Sequence, residues 1–355
     1  PGPLYVGNSG TTIRLMAGLL AGQAFDVELS GDVSLNQRPM ERVAKPLRSM
    51  GAMVVTAEGG CPPIKITGGQ RLKGIHYDLP MASAQVKSCV MLAGLYAQGQ
   101  TSVTEPAPTR DHTERMLEGF GYRVERTHDT CSIEGQGQLT ATDIDVPSDI
   151  SSATFFLVAA AICPDSDLVI EHVGMNPTRI GVVNILRLMG ANLSIQNERE
   201  VGGEPVADLA IKYAPLKGIH VPEDQVPLAI DEFPALMIAA ACASGTTTIT
   251  GAEELRVKES DRIQAMVDGL SAMGVMIKGT TDGAIIQGMG ADTQFAAAQI
   301  TTHHDHRIAM AFTIAGLRAG ANLKILDCAH VATSFPNFVE LARTVGITLD
   351  EEFES

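Results

Sequence analysis

The sequence predicts an α/β protein assembled from repeated subdomains, and three observations carry that expectation. Five short segments are apolar on nearly every face: IRLMAGLLAG, VKSCVMLAGLYA, ATFFLVAAAI, PALMIAAACA and IAMAFTIAGL. A helix apolar all round is buried on all sides, and at about 10–12 residues these are core helices too short to span a bilayer. Each is followed by an amphipathic helix that stops at a glycine and runs into a strand: PLRSMGAMVV, MLEGFGYRVE, ILRLMGANLSI, LSAMGVMIKG and LARTVGITLD. Finally, 355 residues are enough for two domains, each with its own core.

Taken in chain order, one unit reads buried helix, strand, basic loop, amphipathic helix, strand pair. The strand and loop between the helices are FDVELSGDVSLNQRPM, TSVTEPAPTRDHT, DLVIEHVGMNPTRIG, TTTITGAEELRVKES and LKILDCAHVATSFPN. Gly51, Gly121, Gly190, Gly274 and Gly346 end the amphipathic helices, where a residue must enter the left-handed region at little cost. Their spacing of 69–84 residues is far longer than a solenoid period, so each copy is a subdomain. The chain opens Pro-Gly-Pro directly ahead of the first buried helix, which predicts a fragment with one further unit missing.

Composition narrows the function. A net charge of −15 argues against nucleic acid or an anionic membrane as partner. The six cysteines show no CxxC pair and several sit in apolar runs, so reduced, buried thiols and a cytoplasmic location are expected.

Against that acidic background, polar residues gather where the buried helices begin. The entrances are Asn8-Ser9-Gly10-Thr11, Ser83-Ala84-Gln85, Ser151-Ser152, Asp231-Glu232 and His304-Asp305-His306-Arg307. Capping alone would select such residues at any one helix. Five in parallel, with cations near them, predict a face suited to phosphate and carboxylate. The cations are Arg14, Arg38, Lys87, Arg110, Arg179, Lys258, Arg262 and Arg307, whereas Arg42, Arg48 and Arg71 are expected in solvated surface ion pairs. The histidines of HHDHR lack zinc-site spacing, there is no GxSxG elbow, and GQGQL and GGQRLKG lack nucleotide-loop spacing. With neither a metal nor an organic cofactor expected, Asp231, Glu259 and His306 are left for acid–base chemistry on a phosphorylated substrate.

Eight collinear stretches then carry a resemblance: GNSGTTIR, GDVSLNQRPM, PMASAQVKS, TRDHTERM, IDEFPAL, RVKESDRI, HDHRIAMAF and ATSFPNF. Spanning residue 7 to about 338, they resemble the 5-enolpyruvylshikimate-3-phosphate synthase family, with PMASAQVKS and TRDHTE closest to its class II branch. The resemblance implies a two-domain enolpyruvyl transferase fold, an inside-out α/β barrel of βαβαββ units, five of six being present. It places one domain at residues 1–147 and the other at 148–355, with a hinge near VPSDISS. The converging helix ends would hold such a hinge open until an anionic substrate favours closure.

The implied reaction transfers the enolpyruvyl group of phosphoenolpyruvate to the 5-hydroxyl of shikimate 3-phosphate and releases phosphate. By motif, Asp231 would be the base at that hydroxyl and Glu259 would move protons at the methylene, with His306 adjacent. Ser83, Ala84, Gln85, Arg110, Asp231 and Lys258 would hold shikimate 3-phosphate. Gly10, Arg38, Gln85, Arg262 and Arg307 would hold phosphoenolpyruvate, supported by Asn8, Thr11 and Arg14. A monomer working on small molecules is expected. Two departures stand out: the family's early Lys-Ser-Arg motif precedes the first residue, and Thr333 stands where many members have Lys. Little or no turnover is therefore expected of the chain by itself. The alternatives are an enolpyruvyl transferase acting on UDP-N-acetylglucosamine, disfavoured because TRDHTERML occupies the place of its loop cysteine, and a non-catalytic binding fragment.

Overall fold

The structure, a computed structural model, describes residues 2–352. The chain divides into two compact units, one running to Asp145 and including Gly202–Glu204, the other holding Val146–Val201 and the chain from Pro205 onward.

In the first unit, β1 (Leu4–Tyr5) leads into the buried helix α1 (Gly10–Ala21), and β2 (Val27–Ser30) returns parallel to β1. The amphipathic α2 (Glu41–Ser49) follows, and β3 (Met53–Val55) and β4 (Ile64–Thr67) complete a sheet ordered β1-β2-β4-β3. The next copy repeats it: β5 (His76–Asp78), α3 (Ala84–Gly94), β6 (Gln100–Thr104), α4 (His112–Gly119), β7 (Glu125–Thr127) and β8 (Thr130–Glu134), in the order β5-β6-β8-β7. A parallel pair needs a crossover, which the apolar helix supplies, so the helix lies over the sheet that flanks it. That is why α1 and α3 have almost no polar face: sheets cover one side of each and they pack against each other on the other.

The second unit has three copies. Their buried helices are α5 (Ile150–Ile162), α7 (Phe233–Cys242) and α9 (His306–Ala315), and the amphipathic ones are α6 (Gly181–Leu188), α8 (Arg262–Ala272) and α11 (Phe338–Thr344), the last preceded by the short α10 (Val331–Ser334). The strands are β9 (Asp167–Gly174), β10 (Asn192–Val201) and β11 (Glu204–Lys212), then β12 (Ser244–Ile249), β13 (Met276–Gly279) and β14 (Ala284–Met289), then β15 (Gln299–Thr301) and β16 (Lys324–Leu326). Parallel bridges Ser148–Val173, Lys217–Ser244 and His220–Thr248 repeat the entering strand of the first unit. Helices α5, α7 and α9 pack on one another through their apolar sides and form the centre of this core.

The five glycine stops stand at φ of 97°, 75°, 90°, 87° and 92°, the left-handed conformation that the repeated MG, FG and VG endings anticipate. The fifth copy departs from expectation. Residues 347–352 form no strand pair after α11; the acidic run Asp350-Glu351-Glu352 instead makes ion pairs, Glu351 to Arg343 at 3.4 Å and Glu352 to Lys324 at 3.0 Å. The cysteines also correct the uniform reading. Cys89, Cys131 and Cys242 are buried free thiols, pushed up to about 12 by burial, but Cys61 and Cys163 are half-buried and Cys328 is exposed. Among the described residues, no helix is long and apolar enough to cross a membrane.

Candidate active site

In the first unit, Asn8, Gly10, Thr11, Arg14, Arg38, Ser83 and Gln85 meet at the starts of α1 and α3. Ser9 caps α1, its Oγ accepting from the Thr12 amide at 3.1 Å, and Ser83 caps α3, accepting from Val86 at 3.4 Å. Gln85 bridges the two helices: its amide nitrogen donates to Thr11 Oγ1 at 2.9 Å, and its oxygen accepts from Arg14. Arg38 reaches the same place from the loop after β2, donating to Asn8 Oδ1 at 2.9 Å, while Asn8 donates onward to Asp32 at 2.7 Å. Both guanidinium groups lie beside Gly10, within 3.4 Å of where a Cβ would stand. Burial, then the nearby Arg42 and Arg38, lower the Arg14 pKa to about 10. This cluster of cations has spare positive charge, the condition that favours a bound anion. Arg42 thus adds to the cationic field, while Arg48 pairs with Glu41 at 2.8 Å as expected of a surface residue.

Lys87 overturns its place among the anion-binding cations. Its ammonium is 1% exposed and lies 2.7 Å from both Glu105 and Glu114. Burial opposes its charge, but the two carboxylates outweigh that and raise its pKa. A cation already matched by two buried carboxylates is not free to attract a ligand. The signal lay in the sequence: one Lys inside an otherwise apolar buried helix requires a buried partner. Arg110 lies half-buried in the segment between those two glutamates.

In the second unit, Asp231, Glu259, Lys258, Arg262, His306 and Arg307 converge at the starts of α7, α8 and α9. Arg262 is 2% exposed and is the hub: Nε donates to Asp305 at 2.8 Å, Nη2 to Glu259 at 2.6 Å, and Nη1 lies 3.5 Å from Asp231. Burial works against its charge, and Asp305, Glu259 and Asp231 keep it firmly protonated. Lys258 approaches Asp231 at 3.4 Å, and Arg307 donates to the Asp231 carbonyl at 3.0 Å. Two carboxylates suited to proton transfer are thus held on one guanidinium, in a cluster that also contains His306. Burial, then Arg307, lower the His306 pKa below the usual imidazole value.

Asp305 does more than its position in HDHR suggests. It caps α9 through the Arg307 amide at 2.9 Å, accepts from Ser260 at 3.0 Å and anchors Arg262, and that guanidinium overcomes burial to hold its carboxyl below the usual range. The cap of α5 is Asp149, accepting from Ser152 at 3.1 Å, rather than the serines alone, and Asp149 also pairs with Arg179 at 3.1 Å. Ser151 instead donates to the buried Glu232, whose pKa burial raises. Thr333 is exposed in α10 and donates to the His330 carbonyl at 2.7 Å.

The family model described as "EPSP synthase (3-phosphoshikimate 1-carboxyvinyltransferase)" matches residues 1–341. The chain belongs to the EPSP synthase family. Among the family's members, a 3-phosphoshikimate 1-carboxyvinyltransferase from Methylococcus capsulatus is 63% identical, the match covering 98% of this chain and 79% of that one. One from Hydrogenovibrio crunogenus is 62% identical with the same coverage. An EPSP synthase structure from Acinetobacter baumannii superposes with a TM-score of 0.93 at 60% identity, covering 98% of this chain and 80% of that one. The two-domain enolpyruvyl transferase fold that the motifs imply is therefore the fold of this EPSP synthase family member.

Proposed function

We propose that the gene product carrying this chain transfers the enolpyruvyl group of phosphoenolpyruvate to the 5-hydroxyl of shikimate 3-phosphate, with release of phosphate. The observation that carries the reading is the shared hold of Arg262 on Asp231 and Glu259, two carboxylates beside the cations Lys258 and Arg307. The chemistry needs both. Asp231 takes the hydroxyl proton as the oxygen attacks C2 of phosphoenolpyruvate, and Glu259 delivers a proton to C3, giving a tetrahedral intermediate. Removal of a proton from C3 and loss of phosphate from C2 then restore the double bond.

The first unit supplies anion recognition. Arg38, Gln85 and the backbone at Gly10 are assigned to phosphoenolpyruvate, with Asn8, Thr11 and Arg14 holding them in place. Ser83, Ala84 and Arg110 are assigned to the phosphate and hydroxyls of shikimate 3-phosphate, with Gln85 beside them. In the second unit, Arg262 and Arg307 are assigned to phosphoenolpyruvate and Lys258 to shikimate 3-phosphate. Arg262 enters this role already matched by carboxylates, so its part is to orient Asp231 and Glu259 as much as to attract an anion. Residues 1–147 and 148–355 are taken as the two domains, and the protein as a cytoplasmic monomer.

The test is phosphate release from phosphoenolpyruvate by the natural gene product, which should require shikimate 3-phosphate. Calorimetry with shikimate 3-phosphate and with UDP-N-acetylglucosamine should give binding of the first alone. Binding of the nucleotide sugar, or of neither, overturns the reading.

A further inference from the structure

The segment between β6 and α4, EPAPTRD, carries Arg110 and has little secondary structure of its own. A loop that presents a binding arginine must be held by something, because ordering a free segment on binding subtracts from affinity. Its fastening is a buried polar network centred on α3. Lys87 Nζ contacts Glu105 Oε1 at the start of the segment and Glu114 Oε1 just beyond its end, each at 2.7 Å. The other oxygen of Glu105 accepts from Thr109 Oγ1, so the residue directly before Arg110 is tied to the same carboxylate. Thr113 donates to Ser88 Oγ at 2.7 Å, a second tie to α3. On the far side of Arg110, Asp111 accepts from Arg115 Nε at 3.0 Å. Lys87 lies one turn beyond the α3 cap, its amide donating to the Ser83 carbonyl at 3.1 Å.

We propose that Lys87 is a positioning residue for shikimate 3-phosphate: it fastens both ends of the 105–114 segment to α3 and so presents Arg110 in register with Ser83. The role rests on the assignment of Ser83 and Arg110 made under the proposed function. Its chemistry explains why a lysine stands in an apolar helix. A single ammonium with three donors can hold two carboxylates on different elements, which no neutral side chain of that length can do. The burial makes the tie rigid, because an opened pair would leave a charge without a partner away from water.

The test measures shikimate 3-phosphate affinity by calorimetry in the natural gene product, with folding followed by circular dichroism. Lys87→Met alone would strand two buried carboxylates, so the main variant is Lys87→Met with Glu105→Gln and Glu114→Gln, which removes all three charges together. It should weaken shikimate 3-phosphate binding about tenfold, yet by less than about twofold when Arg110→Ala is already present, because residues acting through one another are not additive. Thr109→Val removes one tie without touching any charge and should weaken binding about threefold; it decides the matter if the triple variant does not fold. Folded variants that bind as the wild type does, or that lose the same factor with and without Arg110, overturn the proposal. Failure of the wild type to bind, or of Arg110→Ala to weaken binding, instead overturns the assignment of Arg110 on which it rests.

Discussion

A Cβ built on Gly10 would stand 3.3 Å from Nη1 of Arg38 and 3.4 Å from Nη1 of Arg14. The first residue of α1 is therefore a floor beside two cations, and its missing side chain leaves them room to close on an anion. Gly10→Ala should push both guanidinium groups outward. The expected outcome is about tenfold weaker phosphoenolpyruvate binding, roughly 1.4 kcal/mol, with shikimate 3-phosphate changed far less. Titration of each ligand checks this, and equal losses on both would refute the assignment of Gly10.

Helices α1 and α3 touch backbone to backbone at Gly18, where an added Cβ would lie 2.1 Å from the Cys89 carbonyl oxygen. No side-chain movement relieves a clash with a helical carbonyl, so the helices must separate. Gly18→Ala should cost about 2–3 kcal/mol or more, seen as a lower denaturant midpoint at unchanged slope. An unshifted midpoint would mean that this close approach is not what holds the first core.

Asp305 and Glu232 should respond to pH with opposite signs. Arg262 holds the Asp305 pKa below its unfolded value despite burial, so its contribution is present above about pH 4 and lost as pH falls through the folded pKa. Asp305→Asn should then cost about 3–5 kcal/mol at pH 7 and progressively less in acid. Burial raises the Glu232 pKa, so that residue favours folding fully below about pH 4 and loses its contribution as pH rises. Glu232→Gln should melt higher than the wild type at pH 7 and level with it near pH 4. Melting curves across this range distinguish the two, and parallel curves for both variants contradict the assignment of the shifts.

Glu259 sits on Arg262 at 2.6 Å and is partly exposed, so its side chain is held without being sealed off. Glu259→Gln keeps the shape and removes the proton transfer. Turnover should fall by about 10²–10⁴-fold while binding of both substrates stays within a small factor. A loss confined to affinity would assign Glu259 to binding and leave the methylene proton to another group.

The fold was readable at the level of the unit because its signals are local. An apolar stretch such as ATFFLVAAAI can only be buried, and the glycine after each amphipathic helix is required by the backbone conformation there. The strand pairing was harder, since β1 and β2 meet across α1 and the register is settled by the sheet. The fifth copy was expected to run into a strand because the other copies do, but its acidic residues pair with Arg343 and Lys324 instead.

By itself, the sequence determined the repeated unit, the helix entrances that carry the polar residues and the family motifs placed on them. These follow from periodicity, capping and turn chemistry, which act over a few residues. Only the tertiary structure decided which cations remain available. Lys87 is matched by Glu105 and Glu114, and Arg262 by Asp305, whereas Arg14 and Arg38 both bring a guanidinium within 3.4 Å of the Cβ position of Gly10. The partners of a buried charge lie on other elements, so its availability depends on how those elements pack and not on its neighbours in the chain.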